Sequence, residues 1–222
     1  MRVKWLVVVL AGLVAVLAGR WAYGYYCWYY RVEPEEVLGQ ALSAALAASA
    51  FRYRVQAELV VEGQRRALSE VSGERDREGN FHFQGTMAGD RVEVYQIADT
   101  TYLLDSQTGK WMVVPGSELA RQRMLMAEID PLSNLRFASR GPAVYRGREN
   151  RQHVLEFRAV PANEFMTTWF EEFTYRVWID GRTRRLQKVL LEARSRANPQ
   201  ARATFAIQLF DYDLPLRLEP PV

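Results

Sequence analysis

One cysteine, Cys27, is all that the 222 residues contain. An intramolecular disulfide is therefore excluded, and any folded domain must stand on its apolar core. Histidine is nearly as scarce. His82 and His153 are the only two, and neither has a ligand-spaced partner in the chain, so both read as ordinary strand residues and no metal is expected. No glycine-rich phosphate cradle occurs, and no serine stands in a nucleophile elbow. Asp211 and Asp213, two residues apart near a strand end, read as solvated or capping acids rather than an acid–base pair. No catalytic residue and no cofactor is expected.

Charge is missing from one stretch. Trp5–Gly19 carries none, and Arg2 and Lys4 precede it, which is the layout of a signal peptide or a signal anchor. Fifteen apolar residues fall short of the roughly 20 that cross a bilayer as a helix. Continuing to Tyr30 supplies the length if Arg20 snorkels to the headgroups. Trp21, Tyr23, Tyr25, Tyr26, Trp28, Tyr29 and Tyr30 suit an interfacial aromatic belt. Two readings stay open. In one, residues 1–30 remain as a single-pass anchor in the cytoplasmic membrane, with residues 31–222 extracytoplasmic. In the other, the chain is cut before Gly19 and the rest is secreted or periplasmic. The residues ahead of Cys27 depart from the pattern of a lipidated cysteine at bulky Tyr25 and Tyr26.

The formal charge is +3, from 29 basic and 26 acidic residues. Arg2, Lys4 and Arg20 supply three positives, with no acid before Arg31, so the remainder is formally neutral. The basicity of the whole chain is thus no signal for nucleic acid, and no such partner is expected.

The remainder opens with a helix. Pro34 suits a first helical turn, Glu35 and Glu36 complement its positive end, and Val37, Leu38, Ala41, Leu42, Ala45 and Leu46 form an apolar stripe ending near Ser49. The period then changes from 3.6 to 2. Phe51, Tyr53, Val55, Ala57 and Leu59 alternate with polar residues, a strand with one dry face. Turn signals then separate strands at 65–73, 81–84, 91–97, 101–104 and 111–114. Glu118–Ile129 reads as a short helix. Asp130-Pro131 would cap and start a second, running through Leu132, Leu135 and Phe137. Strands resume at Arg151–Ala159, with a short cover over Asn163–Phe170. Phe173–Ile179 leads to a hairpin at Asp180-Gly181. In Arg184–Arg196, alternation sets Leu186, Lys188, Leu190 and Glu192 on one face and Gln187, Val189, Leu191 and Ala193 on the other. Ala203–Tyr212 is the last long strand. The fold class is α+β: one strongly curved antiparallel sheet, an incomplete barrel, covered by helices and preceded by the membrane helix.

This organisation resembles the periplasmic lipoprotein-carrier superfamily, which includes the outer-membrane lipoprotein carriers and the mycobacterial lipid-binding lipoproteins. The pieces that carry the resemblance are the export segment, the helix Pro34–Ser49, and Phe51-Arg52-Tyr53-Arg54. Others are Tyr102–Trp111, Trp178-Ile179-Asp180-Gly181 and Phe210-Asp211-Tyr212-Asp213-Leu214-Pro215. The resemblance implies a barrel closed by helices over a hydrophobic cavity, with a lipid or acylated protein as ligand. No single residue transfers. The aromatics and methionine placed to line such a cavity are Phe51, Tyr53, Phe81, Phe83, Tyr102, Met124, Phe157, Trp169, Phe170 and Tyr175, with Trp169-Phe170 as a movable lip. The expected function is noncatalytic binding or transfer of a lipid or other hydrophobic moiety at the outer face of the cytoplasmic membrane. The alternative is a membrane-tethered structural or sensory module that recognises an envelope protein.

Overall fold

A computed structural model describes residues 2–30, 32–115 and 130–221. Helix α1 is Arg2–Tyr30. Its described side chains are residues 12–26, and all are exposed. Among the described residues no helix is long and apolar enough to cross a membrane.

Helix α2 is Pro34–Ala47, with proline at its start and Glu35 and Glu36 in its first turn. It buries Val37, Leu38, Ala41 and Ala45, the stripe that the 3.6 spacing predicts. Among the described residues twelve strands follow. They are β1 (Phe51–Val61), β2 (Gln64–Arg75), β3 (Phe81–Met87), β4 (Asp90–Ile97), β5 (Thr100–Leu104) and β6 (Trp111–Pro115). After the 3-10 helix η1 (Pro131–Leu135) come β7 (Phe137–Arg140), β8 (Val144–Glu149) and β9 (Gln152–Pro161). Helix α3 (Glu164–Trp169) precedes β10 (Phe170–Asp180), β11 (Leu186–Ser195) and β12 (Arg202–Phe210).

All pairings are antiparallel, in the order β6-β5-β4-β3-β2-β1-β12-β11-β10-β9-β7, with β8 also on β9. The strand order has two free ends among the described residues, so the barrel is incomplete as expected. Register explains the dry face. Phe157, Tyr175, Leu191, Phe205 and Ala57 stand opposite one another across five neighbouring strands. Leu155, Val177, Val189, Ile207, Val55 and Val71 form the next row. Both rows are buried, and each large aliphatic side chain contributes about 1.5–3 kcal/mol. Helix α2 lies on β10, β11 and η1, and α3 on β9 and β10, so the described helices cover this half of the sheet.

Two glycines fix close approaches. Tyr53 faces Gly73 across β1 and β2, and a Cβ at Gly73 would run into the Tyr53 ring. Gly85 faces Val71, and its Cβ would meet the Glu70 carbonyl oxygen itself.

The structure corrects the sequence reading at three places. The turn after Asp130 is a 3-10 helix that stops at Leu135, and Phe137 already belongs to β7. β7 and β8 are absent from the sequence reading because their faces carry mostly polar or exposed residues, with no dry alternation. In β11 the alternation fails at a bulge: Trp178 pairs with Lys188 but Ile179 with Leu186, leaving Gln187 extra. Leu186 therefore shares the buried face with Val189 and Leu191, and Lys188 does not. The expected helix Glu118–Ile129 lies outside the described residues.

Candidate functional site

A break in strand pairing builds the candidate site. β9 and β10 pair from Gln152 opposite Asp180 to Arg158 opposite Thr174, and no further. Beyond that point β9 turns to β7, with Pro161 opposite Phe137. β10 bulges there: its register with β11 jumps from Glu171–Arg194 to Thr174–Glu192, and Glu172 sits at φ 56. A bulge bends its strand and releases it from its neighbour. The two strands part, and a groove of about 500 Å³, open to solvent, lies in the splay. Ala159, Val160, Phe173 and Thr167 give it apolar surface, and Arg140, Arg158 and Arg196 stand at its margin with Glu171 and Glu172.

Most of this charge is neutralised. Arg194 reaches Glu171 at 2.9 Å and Glu172 at 2.7 Å, and Arg196 pairs with Glu171 at 3.2 Å. Arg196 also donates to the carbonyls of Thr167 and Phe170, which ties the end of α3 to β11. Arg140 pairs with Glu35 of α2 at 2.7 Å, and the Ala143 amide donates to the other Glu35 oxygen. The Arg140 hydrogen bond, then that amide, hold the Glu35 carboxyl below its ordinary pKa. Arg158 makes no ion pair among the described residues.

An aromatic wall stands behind the groove. Phe157 and Tyr175 stack at 5.3 Å, and Phe137 meets both edge-on at 5.6 and 5.1 Å. The Tyr175 hydroxyl donates to the buried Asn134 carbonyl at 3.0 Å, and burial raises its pKa. Asn163 donates to the Asn134 side chain, while its own oxygen caps α3 through Phe165 and Met166. One hydrogen-bonded chain thus sets the wall, η1 and α3 relative to each other.

The residues expected to line a cavity are placed as follows. Phe51, Tyr53, Phe83, Phe157 and Tyr175 are buried, Phe51, Tyr53, Phe83 and Tyr175 with no accessible surface. A side chain bordering a ligand-sized space would retain some, so these four pack against protein as the fold stands. Phe81 and Phe170 are half-buried against the same core. Trp169 is 51% exposed, next to groove residues of α3 and β10. Tyr102 pairs with Tyr95 on the face opposite Val94 and Leu103, away from the dry rows. Met124 lies outside the described residues. The groove's Arg158, Val160 and Glu172 went unnoticed in the sequence. No signal within either segment marks them, because the groove lies where β9 and β10 stop pairing beyond Arg158 and Thr174.

No protein-family model matches the chain, and no curated protein matches it. Solved structures do. The Mycobacterium tuberculosis lipoprotein LppX aligns over 85% of this chain and 100% of its own, at TM-score 0.54 and 14% identity. LprF from Mycobacterium bovis aligns over 85% and 97%, at TM-score 0.53 and 13% identity. The chain has the fold of LppX and LprF. The expected resemblance to the mycobacterial lipoproteins is therefore correct at the level of fold. A LolA superfamily protein from Nitrosomonas europaea also aligns, at TM-score 0.37 and 9% identity, which is too distant to argue from. On the LppX-like sheet, the splay between β9 and β10 is one place where the described residues leave apolar surface open.

Proposed function

We propose that this chain binds a lipid or other hydrophobic moiety, without catalysis, at the outer face of the cytoplasmic membrane, and passes it on there. The groove in the β9–β10 splay carries this reading, because it is an open space with an apolar floor beside an aromatic wall. Each CH₂ buried in it would contribute about 0.8 kcal/mol before ordering costs. Entry deeper into the sheet would require Phe137, Phe157 and Tyr175 to move, since Phe157 and Tyr175 are buried.

In this proposal residues 1–30 are the membrane anchor and residues 31–222 the extracytoplasmic domain. The uniform exposure of apolar residues 12–17 supports it: a helix apolar all round and packed on nothing needs a nonaqueous cover. With Arg2 and Lys4 at its start, that end would stay on the cytoplasmic side. An acylated or envelope protein is the partner from which such a module would receive cargo.

Native mass spectrometry of the full chain released from membranes in mild detergent tests the proposal. Co-purifying lipid is expected. Repeated absence of lipid, together with no binding to a lipid panel, would overturn it in favour of a tethered protein-interaction module.

A further inference from the structure

A second pocket lies far from the splay, at the opposite end of β10, β11 and β12. It is about 500 Å³, within the range of small-molecule sites, and open to solvent. Its origin is the bulge in β11. Leu186 and Val189 are both buried, so the two residues between them, Gln187 and Lys188, turn outward together. Lys188 stands directly opposite Gln208 of β12, and Gln187 meets the Gln152 amide of β9. Three amides and one ammonium thus converge on the outer face. Phe210, 40% exposed, supplies an apolar edge.

The charges sort unequally. Asp211 pairs with Arg52 at 3.4 Å, and Asp213 with Arg185 at 2.6 Å. Arg185 also lies over the Tyr212 ring. Lys188 has no carboxylate partner among the described residues. Its ammonium lies 4.7 Å from the ring of Trp178, whose indole N–H is held by Glu149 at 2.8 Å. Among the described residues one positive charge is therefore left without a directly paired carboxylate, in a ring of groups that both donate and accept.

We propose that this pocket binds a hydroxyl-rich monoanion, a uronic-acid residue of a glycan. Lys188 would take the carboxylate. Gln152, Gln187 and Gln208 would answer the hydroxyls, since an amide offers two donors and an acceptor. Phe210 would carry the C–H face of the sugar ring. The site is independent of the lipid proposal, because it shares no residue with the groove.

The test is calorimetric titration of the full chain with glucuronate, in a polyoxyethylene detergent that carries no sugar. Glucose and acetate are the comparison ligands. Glucuronate is expected to bind at least about tenfold more tightly than either. Lys188→Gln is expected to weaken it by about tenfold or more, and Gln208→Ala by a smaller factor. Lys110→Gln, in the β5–β6 turn, is expected to leave it unchanged. Both pocket side chains point out of the sheet, and circular dichroism checks that the variants fold. No saturable heat with glucuronate, an equal response to acetate, or full binding by Lys188→Gln would each overturn the proposal.

Discussion

Acidification should loosen this domain through one residue, His153. It lies in β9 on the buried side, 1% exposed, opposite Ile179 and Arg148. Burial, then the positive charges of Arg184 and Arg148, press its pKa from 6.5 down to about 4, against a weaker pull from Asp180. Tyr145 stands 3.5 Å from its Nδ1. The unfolded chain takes up a proton near pH 6.5, whereas the folded chain does so only near 4. Stability is therefore full above about pH 6.5 and is lost as pH falls toward 4. At 1.36 kcal/mol for each pH unit of separation, the total is roughly 3 kcal/mol, of which about 2 kcal/mol is spent between pH 7 and 5. Urea unfolding of the full chain in detergent, followed by tryptophan fluorescence at several pH values, measures it. His153→Gln should remove most of the slope. The carboxyls of Glu35 and Glu156, held low by arginine and amide donors, act mainly below their ordinary range. Burial raises the Asp130 carboxyl, so that group gains stability on acidification; being common to both proteins, it cancels in the difference. An equal slope in His153→Gln and its parent between pH 6.5 and 5 would refute the reasoning.

Three further outcomes are expected. Gly73→Ala should destabilise the domain by about 1–3 kcal/mol, because its methyl group would overlap the Tyr53 ring; adding Tyr53→Leu should recover part of the thermal midpoint. Tyr175→Phe should cost about 1–2 kcal/mol in urea by leaving the buried Asn134 carbonyl without its donor. Val160→Glu should abolish lipid co-purification by charging the groove floor, with a stability change of no more than about 0.5 kcal/mol, since Val160 is exposed.

The sheet was legible wherever one face is dry. The alternation appears in the burial pattern throughout β12, in β1 as far as Ala57, and in β10 from Phe173 to Val177, beyond which Trp178 is buried as well. Helix α2 was legible for the same reason at a different period. Strands β7 and β8 were hidden because an edge strand gains less from burying a face, so its composition need not alternate. The groove was hidden for a deeper reason. It arises where two strands stop pairing, and pairing is a property of two distant segments rather than of either one. Glu171, Glu172 and Phe173 look like the start of any strand; only the register with Arg194 and Glu192 shows the extra residues. Aromatic content singled out Phe157 and Tyr175, which stack on each other, together with Phe51 and Tyr53; Phe51, Tyr53 and Tyr175 have no accessible surface as the fold stands.

The seam at the middle of the sheet joins β1 to β12, strands about 150 residues apart in the chain. Closing so long a loop costs roughly 4–5 kcal/mol of chain entropy, against which no single hairpin can prevail. Each half of the sheet can form by neighbouring hairpins, but the halves have no common centre until Arg202–Phe210 is present. A chain that becomes available in order from its N-terminal end would thus stay unjoined until nearly all of it had emerged. Domains ruled by such distant contacts fold in milliseconds to seconds. During that wait the edges of β1 and β11 that β12 will later fill are open to other strands, so whatever shields them in the meantime governs the yield of folded protein.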